Sequence, residues 1–97
     1  MIAMNVQELI LNIAVNMGRL GRWCMEGRIK RLQQFLNETD EYVQQLNQAK
    51  KNHRFNKTFI AFQKNFQLLK TQEKYDDVWA EQAYTWANIL THRARLA

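Results

Sequence analysis

Proline is absent from this chain, and glycine occurs only three times. With so little to end a helix or build a tight turn, a loop-rich or all-β architecture finds no support. A single cysteine, Cys24, leaves no internal disulfide to form, which fits a reducing compartment better than an oxidising one. No apolar run approaches the ~18–20 residues that a membrane span requires. The start, Met1-Ile2-Ala3-Met4, has no basic flank, and Glu8, Asn12 and Asn16 interrupt the apolar residues around it. A secretory signal is therefore not expected, and the expected location is cytoplasmic. Acidic residues are also scarce, nine against fourteen Lys and Arg, which leaves a formal charge of +5.

What is abundant points to helix. Leu, Ala, Gln, Glu, Lys, Arg and Met, all good helix formers, recur throughout. The chain is 46% hydrophobic and 24% charged, ordinary values for a folded domain, and its 97 residues fit one domain over 1–97. A chain of this size buries only roughly 60–65% of its unfolded surface. Its core must come from well-patterned helices or from a partner.

Apolar or small residues recur at Val6, Ile10, Ile13, Met17, Gly21, Met25, Ile29, Leu32, Leu36, Thr39, Val43 and Leu46. These make eleven steps over forty residues, a mean of about 3.64, close to the ~3.6 period of an α-helix. The stripe passes Gly18, Gly21 and Gly27 without losing phase. It is compatible with one helix over about 5–48 or with two helices that meet near Gly18-Arg19-Leu20-Gly21. One rod would be roughly 65 Å long, against a radius of gyration near ~13 Å for a compact domain of this length. A break with Gly18 at the C′ position is favoured, and Asn37 or Thr39 offers a second place for an N-cap.

The segment Lys50–Lys57 loses apolar content and reads as the main connector. From near its end onward, Phe55, Phe59, Phe62, Phe66 and Leu69 step by four, three, four and three along one stripe. Asp76 or Asp77 makes a natural N-cap for a last helix with Trp79, Ala83, Trp86, Leu90 and Ala94 inward. The expected fold is all-α: a bundle of four helices at about 5–17, 20–48, 57–73 and 77–95.

Chemistry is hard to find. His53 and His92 belong to no metal-binding spacing, and Cys24 sits among apolar neighbours, where cysteine is usually a small buried hydrophobe. Asp40 with Glu41, and Asp76 with Asp77, are adjacent pairs whose side chains diverge on a helix. The Gly18–Gly21 pair lacks the strand and Lys-Ser/Thr of a phosphate loop. The Phe and Trp stripes are better explained as core than as a cofactor pocket. No catalytic, metal or cofactor site is expected, and the chain is not expected to be an enzyme.

Two function classes remain. The first is a helical interaction or adaptor protein that self-associates or binds another helical protein. Leu9, Ile13 and Leu20 would supply its apolar face, with Gly18 and Gly21 allowing close helix approach. The second is a nucleic-acid-binding accessory protein. Arg19, Arg22, Arg28, Lys30 and Arg31 surround one acid, Glu26, while Lys50, Lys51, Arg54 and Lys57 have none between them. Trp23 and Phe55 would stack on bases if exposed. The adaptor reading is the leading expectation from sequence.

Overall fold

A computed structural model describes residues 4–97; the start of the apolar N-terminus, residues 1–3, lies outside the described residues. Four helices follow one another: α1, Val6–Met25; α2, Ile29–Gln48; α3, His53–Thr71; and α4, Asp77–Arg93. A 3-10 turn, Ala94–Leu96, closes the chain. No strand occurs among the described residues.

Neither a continuous 5–48 helix nor a break at Gly18 survives. Helix α1 runs straight through Gly18 and Gly21 and ends eight residues later than expected, at Met25. The stop is Gly27, whose φ of +73° is a left-handed conformation that costs an L side chain ~1–2 kcal/mol. The Arg28 N–H donates to the Trp23 carbonyl at 2.9 Å and the Gly27 N–H to that of Cys24 at 3.2 Å. These two bonds are the Schellman pattern, which satisfies carbonyls that the helix end would otherwise leave bare. The chain then reverses into α2, and the longest dimension is 35 Å rather than the length of a rod.

Gly21 has a different purpose. Helices α1 and α4 run antiparallel: Gly18 lies opposite Ala87, Gly21 opposite Tyr84, and Cys24 beside Asp76. A Cβ on Gly21 would come within 2.9–3.0 Å of the Tyr84 ring. Absence of a side chain there lets α4 approach, and Ala14, Ala80 and Ala83 are buried with it.

Other caps are written in the sequence. Asn5 accepts from the Glu8 N–H, and its amide donates to the Glu8 carboxylate, both at 2.8 Å, a reciprocal cap for α1. Asp76 accepts from the Trp79 N–H at 3.0 Å and starts α4 as expected. Asn52 accepts from the Arg54 N–H and starts α3 at His53, four residues earlier than expected. The connector therefore shrinks, and Phe55 becomes core. No break forms at Asn37–Asp40, where the Thr39 hydroxyl donates back to the Phe35 carbonyl at 2.7 Å inside α2.

The core joins all four helices. Ile10, Ile13, Met17 and Leu20 of α1 are fully buried, as are Leu32 and Leu46 of α2, Phe55, Phe62 and Phe66 of α3, and Trp79 and Leu90 of α4. The Trp79 indole donates to the Leu69 carbonyl at 3.0 Å, so its one polar atom is satisfied. Lys70 and Asp40 form a half-buried ion pair at 2.8 Å that ties α3 to α2.

Candidate anion-binding site at the first helical corner

The corner between α1 and α2 gathers cations because the Schellman turn folds two basic segments together. Arg22 lies on the last exposed turn of α1, Arg28 at the N-cap of α2, and Arg31 one turn into α2. With Trp23 and Glu26 they line an open cleft of about 310 Å³. The Arg31 guanidinium lies over the Trp23 ring, 5.1 Å from its centroid. Trp23 also meets the Phe35 ring edge-on, centroids 4.6 Å apart. The indole is thus a buried floor that orients one arginine. Glu26, the only acid in the cleft, pairs with Arg28 at 3.1 Å.

The N-terminus of α2 adds to the positive field. Arginine has no acceptor with which to cap it, no capping bond forms, and its first turn holds no acid. Roughly half a positive charge therefore remains at that end, beside Arg28, Lys30 and Arg31. Arg19 and Lys30 are exposed and flank the cleft in sequence without lining it.

The second basic segment lies apart from the first. Helix α2 separates the two by roughly 28 Å of axis, and it carries Glu38, Asp40 and Glu41 at its middle. Lys50, Arg54 and Lys57 are exposed there. Lys51 is engaged internally. Its ammonium donates to the carbonyls of Leu46 at 2.7 Å, Ala49 at 2.8 Å and Asn47 at 3.2 Å, and sits 4.7 Å from the Phe59 ring centroid. It therefore caps the C-terminus of α2. Burial draws its pKa below the usual lysine value, while three carbonyl acceptors favour the charged form.

The expected partner face is already occupied. Leu9, Ile13, Leu20 and Gly21 are buried within the chain, and Gly18 is half-covered opposite Ala87. Trp23 and Phe55 are buried as well, at 5% and 0% exposure, so neither offers a face for base stacking. The Cys24 thiol donates to the Asp76 carbonyl at 3.4 Å, and burial, aided by Asp76 and Asp77, pushes its pKa up. A raised pKa means less thiolate, hence less nucleophile. Among the described residues no three His, Cys, Asp or Glu side chains come together, and no helix is long and apolar enough to cross a membrane.

Sequence reasoning found the cations of the corner but missed the Arg31–Trp23 stack. The two residues are eight apart, but the chain reverses at Gly27 between them, so helical periodicity does not predict the contact. Comparisons with protein-family models, with curated proteins and with solved structures return no match.

Proposed function

We propose that this chain is a non-enzymatic nucleic-acid-binding protein that holds the sugar–phosphate backbone at the α1–α2 corner. The observation that carries this reading is the convergence of Arg22, Arg28 and Arg31 on one open cleft that keeps a net positive charge after its one acid, Glu26, pairs with Arg28. Guanidinium forks match phosphate oxygens and stay charged at any physiological pH. A net charge of +5 favours encounter with a polyanion.

The burial of Trp23 and Phe55 shapes the reading further. Without an exposed aromatic platform in the cleft a single strand gains little there over its charge, so a duplex backbone is the better ligand. Backbone contacts position a protein without reading sequence, so sequence-independent binding is expected. The self-associating adaptor reading loses its main support, because the apolar face that called for a partner is filled by the chain itself. Fluorescence anisotropy of labelled duplex and single-stranded DNA and RNA, between about 50 and 200 mM salt, tests the proposal. Duplex binding that weakens with salt and is lost on charge reversal at Arg22, Arg28 and Arg31 supports it. Unchanged anisotropy at the lower salt refutes it.

A further inference from the structure

A second cleft of about 360 Å³ opens between α3 and α4, toward the end of α4 away from the arginine corner. It exists because α3 presents small side chains there. Thr58 and Ala61, one turn apart, face Trp86 and Ile89, one turn apart on α4. Elsewhere α3 fills its contacts with phenylalanine. The volume lies at the lower end of the ~300–1,000 Å³ typical of small-molecule sites.

The lining is amphipathic in an ordered way. Ala61, Ile89 and the Trp86 ring give the apolar wall, and His92 and Arg93 line the cleft one turn further along α4. Trp86 is held edge-on against Phe62, ring centroids 5.4 Å apart, and only 9% of it is exposed. Its indole N–H reaches solvent rather than being sealed in the core, whereas that of Trp79 is bonded to Leu69. Arg93 has no ion-pair partner among the described residues, and no acid lines the cleft. The C-terminal end of the α4 dipole opposes an anion by roughly half a charge, less than the full charge that Arg93 brings.

We propose that the α3–α4 cleft binds a small amphipathic carboxylate, its apolar body against Ala61, Ile89 and Trp86 and its carboxylate at Arg93. Charge complementarity selects the head group, and the apolar wall selects the body. This site is independent of the phosphate-binding corner.

The test titrates octanoate into the full chain and follows the Trp86 indole N–H by proton–nitrogen NMR, with octylamine as the charge-reversed probe. Octanoate should give saturable shifts. Arg93→Gln should weaken binding by about tenfold or more, the weight of one charge-assisted hydrogen bond. Ala61→Trp should fill the cleft and abolish binding; Ala61 is exposed, so the fold should persist, and far-ultraviolet circular dichroism checks that it does. An Arg22/Arg28/Arg31→Gln variant should bind octanoate unchanged. Shifts that never saturate, octylamine binding as tight as octanoate, or binding that survives Ala61→Trp in a folded protein would overturn the proposal. So would loss of octanoate binding in the corner variant.

Discussion

Removing the three cleft arginines should change the salt dependence of duplex binding by a calculable amount. If Arg22, Arg28 and Arg31 each neutralise one phosphate, the logarithm of affinity falls against that of salt with a slope near about −2.7 from these three contacts. Between about 50 and 200 mM salt that slope corresponds to a loss of roughly 40-fold. Replacing all three with Gln takes the formal charge from +5 to +2 by removing three cations. The slope should become shallower by close to the same about 2.7, not merely shift the curve. Anisotropy at four or more salt concentrations reads the difference directly.

Arg31 needs a control, because its guanidinium also covers Trp23. An exposed cation–π contact is worth about 0.5–1 kcal/mol, which lowers Tm by a few degrees in a chain of this size. The variant should therefore remain folded at the assay temperature, as a thermal melt checks. Arginine-to-lysine replacements at the same three positions keep the charge and should keep the slope while losing some affinity. A folded Gln variant with an unchanged slope would refute the assignment of phosphate binding to this corner. The exposed cations Lys50, Arg54 and Lys57 would then be the next place to look.

Further outcomes follow from the packing. Ile13→Ala, at a fully buried position, should destabilise by about 2–5 kcal/mol, and its urea midpoint should not vary with protein concentration if the residue is core rather than interface. Asp76→Ala removes the cap on the Trp79 N–H and should cost about 0.5–2 kcal/mol in the same assay. The Cys24 pKa is raised in the folded chain, so its contribution to stability is complete below the unfolded thiol pKa and is lost as pH climbs above it. Urea midpoints from pH 7 to 10 should fall less in Cys24→Ala than in the parent, and an equal fall would show that the thiol is not responsible.

Much of the fold is legible because local signals agree. At α4 the Asp76 cap, the inward row Trp79, Ala83, Trp86, Leu90 and Ala94, and the basic last turn all point the same way, and every residue of that row is buried. The α3 row from Phe55 to Leu69 is equally plain. The first corner is not, for a geometric reason. The last helical residue of α1 and the first of α2 are four apart, the step that an unbroken helix would also take. Periodicity counts residues and is blind to a reversal that costs one turn's worth of chain. Of three glycines, only Gly27 carries positive φ and only Gly21 lies where a Cβ would crowd a neighbour, and sequence cannot tell the three apart.

The same ambiguity bears on how the two function classes are weighed from sequence. A first helix that continues into the second leaves an apolar stripe in need of a partner, which favours self-association. Moving the break to Gly27 lengthens α1 by two turns, lays its apolar face against α4, and covers Leu9, Ile13 and Leu20 from within. The same shift swings Arg22 onto the end of α1 and Arg28 and Arg31 onto the start of α2, where the turn brings them to one cleft. Gly27→Ala therefore bears on both fold and site. It should cost about 1–2 kcal/mol through the left-handed backbone, whereas Gly18→Ala, whose Cβ would meet Ala87 at an ordinary 3.9 Å, should gain up to about 1 kcal/mol of helix propensity. Chemical denaturation of the two variants separates the readings. A break at Gly18 demands the opposite order, and equal effects would remove the turn geometry on which the arginine cleft depends.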